Sequence, residues 1–179
     1  MALSQAVCHF SHQPDQYMDL VNVSFQFDWH LSPSTVGAFQ HYLIHLISFN
    51  GTFILPTIRL LIKQFLPSKM FQHSHMKQMS LDLTEAKKLE LYTRQVQAIH
   101  QMIRSLLHVA PSMINHIFPV LQQLYPHQRL PGFEHTAYVQ QLLHMIEYLP
   151  TLEEAILSVI VESLVKIDVR CDQEGDIRL

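Results

Sequence analysis

The stretch that decides the fold lies in the last quarter of the chain and reads Tyr148-Leu149-Pro150-Thr151-Leu152-Glu153-Glu154. Pro150 ends one helix, because proline lacks the backbone N–H that a helix interior needs. The Thr-x-x-Glu pattern is typical of a capping box and predicts that Thr151 caps the next helix. Helical spacing continues through the apolar residues Leu152, Ile156, Val159, Ile160, Leu164 and Ile167. The region therefore predicts two helices joined by a short turn.

The same order of helix, short turn and helix occurs twice earlier in the chain. Three pairs are predicted, over about residues 31–67, 84–126 and 135–169, with turns marked by Gly51, Pro111 and Pro150. The last two turns are 39 residues apart (150 minus 111), close to the period of about 40 to 47 residues of HEAT and armadillo repeats. We therefore predict an all-α fold, an α-solenoid of HEAT-like helix pairs. An irregular helical bundle is the alternative.

Cap residues and prolines locate the helix ends. The first helix of the first pair is predicted to begin at Ser32-Pro33 and to end at Asn50-Gly51. Pro56 suits the second helix only within its first turn, and Pro119 is expected to kink or delay the fourth. The predicted buried stripes of helices one, three and five are Val36, Phe39, Leu43, Leu46 and Ile47; Tyr92, Val96, Ile99, Ile103 and Leu106; and Val139, Leu142, Leu143 and Ile146.

The segments outside the pairs are less patterned. Residues 1–30 are interpreted as a helical or irregular segment, residues 68–83 as a polar loop, and residues 171–179 as a polar tail. If this loop is an insertion between two repeats, it explains why the turns at Gly51 and Pro111 are 60 residues apart (111 minus 51). The early segment carries apolar residues that could pack against the first pair or against other repeats: Leu3, Phe10, Tyr17, Phe25, Phe27 and Trp29.

Composition excludes several classes of protein. The 179 residues are 48% hydrophobic and include 12 basic and 15 acidic residues, so a disordered chain is not expected. A net charge of −3 argues against a dedicated nucleic-acid module, which clusters Lys and Arg. The chain shows neither a secretory signal nor an uninterrupted apolar run that could span a membrane. Cys8 and Cys171 are too far apart in sequence for a CxxC metal motif. A soluble intracellular protein is expected.

No catalytic pattern stands out. The four glycines are isolated, which excludes a glycine-rich phosphate loop, and there is no GxSxG motif. Of the thirteen histidines, His41 and His45 have the i, i+4 spacing that could share a metal, but no acidic or cysteine ligand accompanies them. We therefore predict that the protein is not an enzyme and has no metal or cofactor.

Two stretches resemble a known family. The first runs from Leu31-Ser32-Pro33-Ser34-Thr35-Val36 to Phe65-Leu66-Pro67. The second runs from Pro111-Ser112 through Phe118-Pro119-Val120-Leu121, Tyr125-Pro126 and Tyr148-Leu149-Pro150-Thr151-Leu152 to Lys166-Ile167-Asp168-Val169. Over about residues 20–170 the chain is similar to the HEAT-repeat region of the RNA polymerase I-specific transcription initiation factors. Residues 148–169 are the most specific part of this resemblance.

The resemblance implies a non-enzymatic bridge between RNA polymerase I and the promoter-bound core factor, acting on ribosomal RNA genes in the nucleus and nucleolus. From its charge and its apolar pattern, the chain is not expected to contact nucleic acid directly or to bind membranes. It also implies that surface serines dock the polymerase and are regulated by phosphorylation, and Ser112 in the Pro-Ser turn is the residue that carries over. The residue pattern alone predicts Ser112 as a helix N-cap, and the two roles can coexist. A generic HEAT or armadillo scaffold for another partner is the alternative.

Family members are several times longer than this chain and many carry an acidic, serine-rich insertion where residues 71–84 stand here. A fragment, a truncated gene model or a reduced paralogue is therefore expected. An array cut between repeats is expected to expose an apolar face at its end, because internal repeats lack a polar cap. The same reasoning puts recruitment to the core factor in doubt for this chain alone.

Overall fold

The regular elements of this computed structural model are helices throughout the part of the chain that it describes, residues 14–67 and 85–176. Side chains are described within residues 18–67 and 86–168. The predicted loop at 68–83 and the first thirteen residues lie outside these ranges. The α-helices are α1 (Pro14–Ser24), α2 (Pro33–Phe49), α3 (Ile54–Lys63), α4 (Glu85–Val109), α5 (Ile114–Gln123), α6 (Gly132–Ile146) and α7 (Glu153–Asp176).

The helices form two layers. In the first layer α2 packs on α4, and α4 is joined to α6 through side-chain hydrogen bonds. In the second layer α3 packs on α5 and α5 on α7. Each pair places one helix in each layer, so successive pairs bury their apolar faces against one another. This is the α-solenoid that the repeat pattern predicts.

The two helices of each pair are joined by a 3₁₀ turn, at Gly51–Phe53, Pro111–Met113 and Pro150–Leu152. Asn50-Gly51 ends α2 as predicted, although by a different mechanism. Asn50 is extended, with φ of −151°, and its side chain accepts the backbone N–H of Thr52 at 2.9 Å. The end of α2 is therefore an asparagine cap on the turn, with no left-handed residue.

Predictions for helix starts differ in their outcome. Ser32 is the N-cap of α2, since its hydroxyl oxygen accepts the backbone N–H of Thr35 at 3.3 Å. Thr151 was predicted to cap the last helix and this is wrong: it lies inside the 3₁₀ turn, and α7 begins at Glu153. Pro56 is the third residue of α3, as expected. Pro119 lies inside α5, which begins directly after the turn and is not delayed.

Most predicted stripes are buried. The α2 and α4 stripes are buried at every predicted position. The prediction fails at Leu143 in α6 and Leu164 in α7, which are 46% and 49% exposed. In α6 the core is instead built by Tyr138, Leu142 and Met145, together with the polar residues Glu134, His135 and Gln141. A carboxylate at Glu134 is favourable for its position in the first turn of α6, where the helix dipole is positive.

The segment before α2 packs against the first helix pair, which resolves the alternatives for its described aromatic residues. The Phe27 ring stacks on Phe39 of α2 at 4.0 Å between centroids. Trp29 is buried and meets Phe39 edge-on at 5.6 Å. Offset and edge-to-face ring contacts of this kind each stabilise a core by about 1 kcal/mol beyond the area they bury. Leu3, Phe10 and Tyr17 lie outside the residues whose side chains are described.

Neighbouring pairs are joined by a repeated hydrogen bond. The Tyr92 hydroxyl of α4 donates to the carbonyl oxygen of Phe65, just after α3, at 2.6 Å. The Tyr138 hydroxyl of α6 donates to the carbonyl oxygen of Leu121 in the last turn of α5, at 3.0 Å. Carbonyls at the C-terminal end of a helix have no partner within the helix. The tyrosines therefore satisfy buried groups and set the spacing between one pair and the next.

Candidate protein-interaction surface

The turn between α4 and α5 presents the residue singled out from the sequence. Ser112 is the middle residue of the 3₁₀ turn Pro111–Met113 and is exposed. Its predicted role as N-cap is wrong: Ala110 precedes the turn, Met113 precedes α5, and neither helix start has a side-chain cap. The reason is that the 3₁₀ turn inserts residues between the serine and the first α-helical N–H groups. The Ser112 hydroxyl is therefore not used in capping.

The N-terminal end of α5 is a favourable place for a negative group. The first turn of this helix has neither an acidic residue nor a capping side chain. The N-terminal end of a helix dipole is positive and favours anions. A phosphate on Ser112 would add nearly two negative charges close to this end of α5. The local structure can thus accept phosphorylation of Ser112 without loss of a hydrogen bond.

A hydroxyl residue occupies the middle of all three described turns: Thr52, Ser112 and Thr151. Because each turn joins the two layers at the same end of its helix pair, the three lie along one edge of the solenoid. Thr52 differs from the others, since its hydroxyl donates to the Asn50 side chain at 2.6 Å. The three hydroxyl residues can be recognised when the sequences of the three turns are aligned, because no single motif marks them.

A hollow of about 550 Å³ adjoins the Ser112 turn. Pro111 and Ile114 line it on one side, and Leu107 of α4 and Leu149 extend its apolar surface. Arg104 lies above the Tyr148 ring at 4.5 Å from the ring centroid, and this cation–π contact places a positive charge at the hollow. Glu147 also lines the hollow, so its lining combines apolar walls with charged groups of both signs. Apolar area with polar groups at its rim is typical of surfaces that bind other proteins.

A buried polar cluster holds the helices that form this hollow. His100 of α4 is 3% exposed, and its ring nitrogens are hydrogen-bonded to the Tyr148 hydroxyl at 2.8 Å and to Oε1 of Gln141 at 3.1 Å. Burial is the main reason that the pKa of His100 is lowered to about 4; the nearby His144 and Arg104 act in the same direction, and the Gln141 hydrogen bond opposes it. Burial also raises the pKa of Tyr148. The cluster therefore stays neutral at physiological pH and joins α4 to α6.

The remaining candidates from the sequence show no shared site. His41 and His45 are both exposed on α2. Across residues 14–67 and 85–176, no group of three or more His, Cys, Asp or Glu side chains is placed to hold a metal ion. Within the same ranges, no helix is both long and apolar enough to cross a membrane.

The last helix carries an uncovered apolar face. Val161 and Val165 of α7 are 59% and 55% exposed, and Leu157 and Leu164 lie on the same side of the helix. Residues spaced three, four and seven apart share one helix face. Among the described residues nothing packs on this face, which in a solenoid is the kind of surface that the next repeat covers.

The fold defines a helical-repeat protein of the α-solenoid class. The chain matches the family "RNA polymerase I specific transcription initiation factor RRN3" over residues 1–178, and it belongs to this family.

Two relatives show how much of a family member the chain represents. The mouse RNA polymerase I-specific transcription initiation factor RRN3 is 22% identical over 160 residues, which cover 88% of this chain and 24% of the mouse protein. The crystal structure of RNA polymerase I transcription initiation factor Rrn3 superposes with a TM-score of 0.69 at 19% identity, over 97% of this chain and 33% of that one. The chain thus has the fold of part of that structure, and spans about a quarter of the length of the mouse relative.

Proposed function

We propose that this chain is a non-enzymatic interaction module of RNA polymerase I initiation, which binds the polymerase through the edge that carries Ser112. The observation that carries the proposal is the family match over residues 1–178. The exposed turn beside the 550 Å³ hollow supports it, because a docking surface needs accessible side chains next to apolar area. Phosphorylation of Ser112 is proposed to regulate this contact through like-charge repulsion at an acidic partner face.

We also propose a role for this chain within the larger initiation assembly. In the bridge between the polymerase and the promoter-bound core factor, this chain supplies the polymerase side, in the nucleus and at the nucleolus. A division of labour fits the length of the chain, which covers 24% of the mouse relative. Core-factor binding by this chain alone is therefore expected to be weak, and a pull-down with purified core factor measures it.

The test is co-purification of the chain with intact RNA polymerase I, with RNA polymerase II as the comparison, at physiological salt. We expect selective retention on polymerase I and weaker retention of Ser112→Asp, with Ser112→Ala close to the unmodified chain. The matched control is Ser34→Asp. Ser34 is exposed in the first turn of α2, at the far end of a 17-residue helix that is about 25 Å long.

The outcomes separate the possible explanations. Circular dichroism of each variant shows whether helical content is kept. Equal retention on both polymerases would favour a generic scaffold and contradict the proposed function. Selective retention with unchanged affinity of Ser112→Asp would remove Ser112 from the docking surface and leave the polymerase partner in place.

A further inference from the structure

An open groove of about 920 Å³ lies beside α3, and the proposed function does not use it. It is formed by residues 22–30 before α2, by α3, and by one turn of α4. Phe25 and Phe27 are half-buried in it, and Leu55, Leu66 and Leu91 add apolar wall. Its volume is near the upper end of the range for ligand pockets, about 300 to 1,000 Å³.

The charged residues of the groove are mostly cations. Arg59 and Lys63 lie one turn apart on α3, both are exposed, and both line the groove. Asp28 is the carboxylate among the described lining residues, and it already accepts the backbone N–H of His30 at 2.9 Å. One Arg59 nitrogen donates to Gln123 at 3.0 Å, which leaves other guanidinium donors. The groove therefore carries excess positive charge, whereas the whole chain has a net charge of −3.

We propose that this groove binds an acidic, extended peptide segment of a partner protein. Carboxylates of the segment would pair with Arg59 and Lys63, and an apolar side chain would pack against Phe25 and Phe27. A nucleic-acid backbone is disfavoured by the same features, since phosphate binding uses clusters of cations and this groove has two beside apolar walls. Peptide binding in this groove does not depend on whether the chain binds the polymerase. It is therefore tested with isolated peptides.

Trp29 provides a direct measurement. It is the single tryptophan of the chain and it lines the groove. Peptides of about ten residues that combine Asp and Glu with Leu and Phe are titrated into the full chain, and the Trp29 emission is followed. Two matched peptides replace either the acidic residues by Lys or the apolar residues by Ser. We expect saturable binding of the acidic, apolar peptide and at least tenfold weaker binding of both matched peptides.

Variants assign the binding to the groove. Arg59→Glu with Lys63→Glu is expected to weaken binding at least tenfold. Because Lys63 is in the last turn of α3, where a cation is favourable, Arg59→Gln with Lys63→Gln serves as a milder second variant. The control with the same net charge is Arg129→Glu with Lys166→Glu, at exposed positions that do not line this groove. Thermal unfolding shows whether each variant keeps its fold.

Three outcomes would contradict the proposed peptide groove. Equal affinity for the Lys peptide would show that charge does not select the occupant. Unchanged binding by the folded Gln variant would place the peptide elsewhere. Displacement of the peptide by an equal amount of a single-stranded oligonucleotide would favour nucleic acid as the occupant. Loss of polymerase retention with normal peptide binding would overturn the proposed function alone.

Discussion

The junction between the first and second helix pairs and the junction between the second and third use the same tyrosine-to-carbonyl bond, but differ in what surrounds it. At the first junction the neighbours are neutral amides: Gln95 donates to the carbonyl and side-chain oxygens of Gln64. At the second junction the neighbours include His100, Arg104 and His144. Two junctions with equivalent geometry therefore have different responses to pH, because the second buries His100, a side chain that titrates near neutrality when it is free in water.

Replacing Phe65 by Ala should have the largest effect, because Phe65 contributes to both junctions. Its side chain is fully buried, stacks on His100 at 5.0 Å and meets Tyr138 edge-on at 6.1 Å. We expect a loss of about 3–5 kcal/mol in the free energy of unfolding, from lost apolar transfer and from the cavity. Urea denaturation measures it. A loss below about 1 kcal/mol would contradict the packing described here.

Acid should weaken the second junction more than the first. The pKa of His100 is about 4 in the fold, against 6.5 for the free side chain, so the unfolded chain binds the extra proton first as pH falls. Stability therefore falls between about pH 6.5 and pH 4, by an amount on the order of 3 kcal/mol for this group. Above pH 6.5 the group is neutral in both states and contributes no pH dependence.

The control for this prediction is His100→Gln, which keeps a polar group and cannot take up a proton. Its unfolding free energy, measured by denaturation at a series of pH values, should show a flatter slope across that range than the unmodified chain. Identical slopes would contradict the prediction, because they would mean that His100 does not set the pH dependence in this range.

Removing one junction hydroxyl should have a smaller effect. Tyr92→Phe and Tyr138→Phe each remove a buried hydrogen bond and leave a carbonyl oxygen without this donor, at a cost of about 1–2 kcal/mol. Burial already raises the pKa of Tyr92 to about 12, so neither phenol ionises near neutral pH. Equal losses, measured by thermal unfolding, would show that the two bonds are equivalent. No loss of stability at one position would mean that the tyrosine hydrogen bond does not stabilise that junction.

The smallest effect on stability is expected at the exposed apolar face of α7. Val161→Lys with Val165→Lys replaces exposed side chains on α7 and should change the unfolding free energy by about 0.5 kcal/mol or less. The same change should reduce self-association in light scattering, because it removes exposed apolar area. Ile160→Lys is the contrasting variant: this neighbour is buried, so the substitution should unfold the chain.

Helical stripes could be predicted well where apolar residues recur at regular helical spacing. The predicted positions of α2 and α4 are buried for this reason. The buried positions of α6 are less regular, because this helix contacts α4, α5 and α7. It therefore also buries the polar residues Glu134, His135 and Gln141. Leu143 was predicted to be buried and is exposed, since apolar character alone does not indicate which face has a neighbour.

The candidate site was predicted only in part. Ser112 was found from the Pro-Ser turn and is exposed there, while the capping role expected for it and for Thr151 is wrong because 3₁₀ turns precede α5 and α7. The peptide groove could not be predicted, since Phe27, Arg59 and Leu91 are separated by about thirty residues each and meet through packing alone.

Local sequence was enough to establish the helices, their pairing and the repeat, because apolar periodicity and proline act within a few residues. The bonds between pairs, the lowered pKa of His100, the free hydroxyl of Ser112 and the cationic groove are properties of the tertiary structure. They depend on desolvation and on contacts between residues distant in the chain, and no local pattern contains either of these.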